Sequence, residues 1–119
     1  ILTRLVGSEM CIRDRAVEDL LKKFKTNVSL IKGNSKSVLK KIDMSKIDYV
    51  FLDGGHSYST VKNDLECCLD VVLSNGTIMC DDYNFGHLPD VKNAIDEFVK
   101  NNNLNCQIIC DGRFAKIEK

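Results

Sequence analysis

The amino-acid sequence predicts an α/β domain built on a mostly parallel β-sheet that ends in an antiparallel hairpin. Short runs of β-branched and apolar residues alternate with segments whose apolar residues recur every three or four positions, which is the pattern of strands alternating with amphipathic helices. Near the end of the sequence, Asp111-Gly112 separates two strand-like runs and is a strong signal for a hairpin turn. With 119 residues, of which 44% are hydrophobic, the chain is long enough for one modest domain.

The predicted elements follow one another as helix, strand, helix and strand up to the hairpin. The predicted helices are Ala16–Lys25, a second helix capped by Ser35 and buried through Val38, Leu39 and Ile42, Tyr58–Leu73, and a fourth that opens at Pro89-Asp90. The predicted strands are Asn27–Lys32, Ile47–Leu52, Thr77–Cys80, Asn105–Cys110 and Arg113–Ile117. Gly76 follows the third helix, and we expect a positive φ angle there.

The composition narrows the choice of partners. The 17 lysine and arginine residues balance the 17 aspartate and glutamate residues, so no excess positive charge favours nucleic acid or an anionic membrane surface. The six cysteines include no CxxC pair, which argues against zinc or thioredoxin-type chemistry and favours free thiols in a reducing compartment. We therefore expect a cytoplasmic protein that acts on a small molecule. The sequence does not predict its oligomeric state.

Residues 1–15 have no sustained periodicity. Their run LVGSEMCIRDR resembles a peptide translated from sequencing-adapter DNA, and segments of that kind are left out of fold reasoning. We therefore expect residues 1–15 to be a non-native leader and residues 16–119 to be the domain. The alternative is an ordinary leader or the frayed start of the first helix.

Acidic residues end two of the predicted strands. Asp53 follows the strand that ends at Leu52, and the pair Asp81-Asp82 follows the strand that ends at Cys80. Because a right-handed β-α-β connection places parallel strands side by side, we expect the three carboxylates to converge at one edge of the sheet. Hard oxygen ligands suit Mg²⁺, Mn²⁺ or Ca²⁺ better than zinc. The alternative is that the acid pair only caps the following turn and that Asp53 bonds a helix terminus.

His56 lies three residues after Asp53, across a pair of glycines, and we expect it to project into the same crevice. Imidazole titrates near neutral pH, so it can take a proton from a hydroxyl that a metal has made more acidic. His56 is therefore a candidate general base. The alternatives are that His56 is a metal ligand or that it caps the helix that starts near Ser57.

The same strand ends carry a family resemblance. The combination of FLDGGHSY, a helix, NGTIMCDDYNFG and DVKNAIDEF resembles the carboxyl-terminal half of class I S-adenosylmethionine-dependent methyltransferases. It is most similar to the small family with an FxDGxHxY strand end and a DDY pair, known as methyltransferase 24-like. The resemblance implies a Rossmann-like three-layer sandwich, present in part, and methyl transfer to a hydroxyl of a small molecule or sugar.

The resemblance also implies roles for individual residues. Asp53, Asp81 and Asp82 would hold Mg²⁺ or another divalent cation, and His56 would deprotonate the acceptor hydroxyl. The cofactor-binding residues for S-adenosylmethionine would be Gly33, Asn34, Ser35, Asp53 and Gly54. Asn34 stands where the family usually has an aspartate, and its amide oxygen can still accept a hydrogen bond from the adenine amine.

Part of the family pattern has no counterpart in this sequence. No GxGxG occurs in it, although in the family such a loop approaches the methionine part of the cofactor. We therefore expect a fragment of a longer parent enzyme that is inactive alone and binds S-adenosylmethionine weakly or not at all.

Other readings of the strand-end aspartates remain open. Phosphatases of the haloacid-dehalogenase type need DxD, whereas Gly55 occupies the second acidic position here. Two-component receiver domains carry an acid pair before the phosphoacceptor aspartate, and the order here is reversed. A non-enzymatic α/β remnant that serves as an interaction unit is the remaining alternative.

Overall fold

The computed structural model describes residues 2–7, 27–41, 47–84, 86 and 89–119. The chain divides into two compact units, Ile1–Lys41 and Ile42–Lys119. The helix predicted over residues 16–25 lies outside the described residues, as does His87.

The first unit contains a two-stranded parallel sheet and one helical turn. Strand β1 (Leu2–Gly7) pairs in parallel with β2 (Asn27–Lys32). The sequence predicted β2 but not β1, because residues 1–15 show no two-residue alternation. Whether residues 1–15 are native to the gene stays a prediction.

Helix α1 (Ser35–Val38) follows β2 in the first unit. Its N-cap is Asn34, whose side-chain oxygen accepts a hydrogen bond from the Lys36 amide at 3.0 Å. The prediction that Ser35 is the cap was therefore wrong by one residue, since asparagine at this position satisfies the same free amides. Val38 and Leu39 of the predicted buried face are only partly buried, since α1 is a single turn, and Ile42 lies outside the described residues.

The second unit is a four-stranded mixed sheet with two helices. Its elements in chain order are β3 (Ile47–Leu52), α2 (Tyr58–Val71), β4 (Val72–Cys80), α3 (Asp90–Asn101), β5 (Asn105–Ile109) and β6 (Phe114–Glu118). The strand order is β3-β4-β6-β5, with β3 parallel to β4 and β6 antiparallel to both neighbours. One antiparallel strand was predicted, but at the edge of the sheet; it lies inside, between β4 and β5.

The core of the second unit lies between the two helices and one face of the sheet. The helices bury residues at the predicted spacing, and the strands bury alternate residues of the facing side. The buried apolar residues are Val61, Leu65 and Cys68 on α2, Val91, Ala94, Ile95 and Phe98 on α3, Val72, Ile78, Cys80, Ala115 and Ile117 on the strands, and Tyr83 after β4. Val50 and Leu52 of β3 pack against this core as partly buried residues.

Strand β4 begins earlier than the sequence predicted. The expected helix to Leu73 ends at Val71, and the strand starts at Val72. The residue with positive φ is Asn75 (69°), so the prediction for Gly76 was wrong. Asparagine tolerates the left-handed region, and the Asn75 amide donates to the Lys119 carbonyl at 3.0 Å.

The hairpin turn between β5 and β6 is longer than the two-residue turn that Asp111-Gly112 suggested. Cys110, Asp111 and Gly112 all have positive φ angles, of 52°, 55° and 89°. The Arg113 amide closes the turn by donating to the Cys110 carbonyl at 3.1 Å. Across the described part of the chain, no helix is long and apolar enough to cross a membrane.

Candidate active site

The ends of β3 and β4 bring the three predicted carboxylates together. Leu52 and Cys80 are register partners in the parallel pair, so the residues that follow them emerge side by side. The Asp81 amide donates to the Leu52 carbonyl at 2.9 Å and ties the two strand ends. One carboxylate oxygen each of Asp53, Asp81 and Asp82 lies within 4.8 Å of the others. The predicted convergence is therefore confirmed.

The acid pair contains a residue with an unusual backbone conformation. Asp82 has a positive φ of 59°, a conformation that aspartate tolerates better than most residues. Its amide donates to Asp81 Oδ1 at 2.7 Å, which is the local turn contact considered as an alternative role. Asp81 makes this contact in addition to its place in the carboxylate cluster.

Asp82 faces His56. The distance from His56 Nε2 to Asp82 Oδ2 is 2.8 Å, and the two side chains are 37% and 26% exposed. The helix that starts at Tyr58 is capped by Ser57, whose hydroxyl accepts from the Thr60 amide. The alternative role of His56 as a helix cap is therefore wrong, and the imidazole lies at the carboxylate cluster.

Asp81 has a cationic partner that sequence reasoning missed. Arg113 donates to both carboxylate oxygens, from Nε to Oδ1 at 3.1 Å and from Nη2 to Oδ2 at 3.4 Å. This hydrogen-bonded guanidinium is the main reason why the pKa of Asp81 lies below its ordinary value, and desolvation opposes the shift. Cys80 of β4 and Ala115 of β6 are register partners. The residues just after β4 and just before β6 therefore lie side by side, which brings Asp81 and Arg113 together. No local sequence pattern signals that register.

A cleft lies above the strand ends and contains these side chains. The residues that line it include Asp53, Gly54, Gly55, His56, Asp64, Asp81 and Asp82. Asp64 on α2 is only 6% exposed, and its Oδ2 lies 3.4 Å from where a Cβ on Gly54 would be. Asp64 was not predicted as a site residue, although it lies between Val61 and Cys68 on the buried face of α2.

Buried side chains behind the cleft are neutral. Burial raises the pKa of the Cys68 and Cys80 thiols to about 12. The buried Tyr83 follows the acid pair and donates from its hydroxyl to Asp96 Oδ1 at 2.6 Å. Desolvation, together with this bond, raises the pKa of Tyr83. These groups support the strand ends and carry no charge at neutral pH.

The predicted cofactor residues fall in both units. Gly33, Asn34 and Ser35 end β2 and begin α1 in the first unit, where Gly33 has a φ of 149° and a Cβ there would lie 2.3 Å from Val38 Cγ2. Asp53 and Gly54 line the cleft of the second unit. Their roles toward S-adenosylmethionine stay predictions.

The carboxylate cluster fits a divalent cation. Metal ions with oxygen ligands at about 2.0–2.6 Å span opposite ligands roughly 4–5 Å apart, and the three aspartate oxygens lie within 4.8 Å of one another. Asp53 is exposed, while Asp81 and Asp82 are partly buried. The arrangement would leave coordination positions open on the cleft side for other oxygen ligands.

Solved structures of methyltransferases resemble the fold. A Staphylococcus aureus protein assigned as a caffeoyl-CoA O-methyltransferase matches all of this chain with a TM-score of 0.76 at 17% identity. The O-methyltransferase NovP matches 90% of the chain with a TM-score of 0.70 at 22% identity. The methyltransferase PaMTH1 of Podospora anserina, solved with S-adenosylhomocysteine, matches 98% with a TM-score of 0.69 at 17% identity. These likenesses confirm the α/β, Rossmann-like fold class.

The chain is shorter than these proteins and spans 65%, 42% and 60% of their respective lengths. No curated protein sequence matches it. A sequence profile described as a methyltransferase domain, however, matches residues 3–83. The phosphatase and receiver-domain alternatives are thereby set aside. Because the profile covers well over half of the 119 residues, the chain belongs to the methyltransferase domain family, as the FLDGGHSY and CDDY strand ends indicated.

Proposed function

We propose that the parent enzyme of this chain transfers a methyl group from S-adenosylmethionine to a hydroxyl of a small molecule or sugar, with the help of a divalent cation. The observation that carries the proposal is the convergence of three carboxylate oxygens within 4.8 Å, beside an imidazole 2.8 Å from one of them. Such a set combines a cation site with a proton acceptor in one cleft.

Asp53, Asp81 and Asp82 would hold the cation. When bound, S-adenosylmethionine supplies the methyl group, and the cation supplies Lewis acidity toward the acceptor hydroxyl. The aspartates come from two adjacent strand ends tied by a backbone hydrogen bond, so they start from a rigid scaffold and need little reorganisation to bind. That rigidity favours a defined orientation of the acceptor.

His56 would act as the general base. The imidazole would take the proton of the acceptor hydroxyl as that oxygen accepts the methyl group, and the sulfur of the methyl donor would keep the electron pair of the broken carbon–sulfur bond. The contact with Asp82 at 2.8 Å orients the ring and stabilises the imidazolium that forms. Asp82 would therefore both orient the general base His56 and help to hold the cation.

From the family resemblance, we propose Gly33, Asn34, Ser35, Asp53 and Gly54 as the cofactor-binding residues. We propose that this chain alone binds S-adenosylmethionine weakly, because its sequence contains no GxGxG loop. The proposed location is the cytoplasm, which agrees with the free state of the cysteines among the described residues. The acceptor itself stays open within the class of small hydroxyl compounds.

The test uses the parent enzyme, reconstructed from the complete gene. Release of S-adenosylhomocysteine is measured with a panel of catechols and sugar hydroxyl compounds, with and without Mg²⁺, for the parent and three variants. His56→Ala should lower kcat by roughly 10²–10⁴-fold with a modest change in S-adenosylmethionine affinity. Asp82→Ala should abolish stimulation by Mg²⁺. Asp70→Ala, which removes an exposed acid outside the cleft, should match the parent.

Two results would refute the mechanism. Unchanged turnover in both His56→Ala and Asp82→Ala would remove the base and the cation from it. A complete gene without a strand followed by GxGxG, together with no methyl transfer to any acceptor, would favour the non-enzymatic remnant.

A further inference from the structure

We propose that Arg113 is a positioning residue that acts as the internal counter-ion of the carboxylate cluster and weakens its hold on a divalent cation. The proposal rests on the function proposed above and deepens it, because it names what sets the affinity of that site. Arg113 lies outside the matched residues 3–83.

The contact between Arg113 and Asp81 is a two-pronged one. Nε and Nη2 donate to Oδ1 and Oδ2 at 3.1 and 3.4 Å, which is the planar arrangement that lysine cannot reproduce. The Asp81 side chain is only 7% exposed, whereas that of Arg113 is 64% exposed. The carboxylate is therefore held from its solvent side by the guanidinium, and both of its oxygens are engaged.

Further contacts hold Arg113 in place through its side chain and through the backbone around it. It lies over the Phe114 ring, 5.0 Å from the centroid, in a cation–π arrangement. The Arg113 carbonyl accepts from the Tyr83 amide at 3.0 Å, and the Gly112 carbonyl accepts from the Asn84 amide at 3.2 Å. The hairpin turn and the loop after the acid pair are thus docked by their backbones, which distinguishes this pair from an ordinary surface ion pair.

Arg113 interacts with the charges of the cluster beyond Asp81. The pKa of Arg113 is raised, first by the hydrogen bond with Asp81 and also by the charges of Asp82 and Asp53. One positive charge therefore already offsets part of the negative charge of the three carboxylates. A cation that enters must share the Asp81 oxygens with the guanidinium, or displace it, against the repulsion between two positive charges.

The expected effect follows from Coulomb's law. A divalent and a monovalent cation about 6 Å apart in a water-like medium repel by an amount that corresponds to roughly tenfold in affinity. Removing the charge of Arg113 should therefore tighten divalent cation binding by roughly tenfold. A lysine at this position keeps the positive charge but cannot donate to both oxygens in the planar, two-pronged arrangement. The cation affinity of Arg113→Lys should therefore stay within about threefold of that of the original chain.

The test measures Mn²⁺ binding to the full 119-residue chain by isothermal titration calorimetry and by the loss of the free-ion electron paramagnetic resonance signal. The variants are Arg113→Gln, Arg113→Lys and Arg113→Met, of which the last keeps an apolar stem on Phe114 if glutamine does not fold. The matched control is Lys116→Gln, which removes one positive charge from the strand that follows Arg113, where Lys116 pairs with Glu118 at 3.1 Å. Circular dichroism checks that each variant is folded.

The results separate the two proposals. The counter-ion role is supported if Arg113→Gln or Arg113→Met binds Mn²⁺ more tightly while Arg113→Lys and Lys116→Gln bind it about as well as the original chain. It is also supported if binding is seen only after the charge of Arg113 is removed. Equal or weaker binding in the uncharged variants, while the original chain binds Mn²⁺, overturns it and leaves the cation site standing. No binding in any variant overturns both this role and the cation part of the proposed function.

Discussion

Gly76 should tolerate no side chain, although its backbone is ordinary. The residue is buried within β4, and its φ lies outside the left-handed region. A Cβ at this position would lie 2.4 Å from Val72 Cγ1, 2.7 Å from the Leu73 carbonyl oxygen and 3.1 Å from the Asp48 carbonyl oxygen. Two of the three neighbours are backbone atoms, and Val72 is 2% exposed with a stiff, β-branched side chain. None can move without disturbing the pairing of β3 with β4.

The cost of Gly76→Ala follows from these contacts. Overpacking a filled site typically costs about 1–3 kcal/mol, and the backbone clashes place this substitution at the upper end, about 2–3 kcal/mol. For a domain of this size, that loss lowers the melting temperature by roughly 8–12 °C. Thermal and urea unfolding followed by circular dichroism measure both quantities.

Gly86→Ala is the matched control, because Gly86 has a φ of 50° and its would-be Cβ meets no neighbouring atom within 4 Å among the residues that the structure describes. Its substitution should cost only the left-handed backbone preference, about 1 kcal/mol. If Gly76→Ala melts no lower than Gly86→Ala, the close packing at the start of β4 is wrong.

Two further predictions concern charge and thiol reactivity. The pKa of Asp81 is lowered by Arg113, so the pair stabilises the fold fully above the ordinary aspartate pKa of about 3.9 and loses this effect as the pH falls through the lower folded value. The difference in melting temperature between the original chain and Arg113→Gln should therefore shrink from about pH 6 to about pH 3, and a constant difference would contradict the ion pair. Cys68 and Cys80, with pKa values raised to about 12 by burial, should resist iodoacetamide in the native chain, whereas the exposed Cys110 should react. Mass spectrometry after digestion reads the order of labelling, and early modification of Cys80 would contradict its burial.

The convergence of the aspartates could be predicted from sequence because it depends on a general rule. Two strands joined by a single helix pair in parallel with right-handed connection, so the residues after Leu52 and Cys80 had to meet. His56 came with them because only two glycines separate it from Asp53. The meeting of the three carboxylates with His56 was therefore predictable from the sequence, and the roles of these residues stay proposals.

Arg113 could not be predicted in the same way. Its contact with Asp81 joins residues 32 positions apart and depends on the antiparallel register of β4 with β6, which no local pattern specifies. The position of β6 inside the sheet was missed for the same reason, since a hairpin signal fixes only that β5 and β6 pair. The start of β4 was misplaced because Asn75, and not the glycine after it, takes the left-handed conformation.

The strand order β3-β4-β6-β5 has a consequence for the way the second unit forms during synthesis. Strand β5 is made before β6, yet among the described strands it pairs only with β6. It must therefore wait, unpaired, until the following strand inserts beside β4. Long-range insertion of this kind slows folding and exposes strand edges. Because Arg113 arrives on the turn that begins β6, the acid pair is made well before its counter-ion, and a nascent chain carries an uncompensated acidic cluster until the last strand is in place.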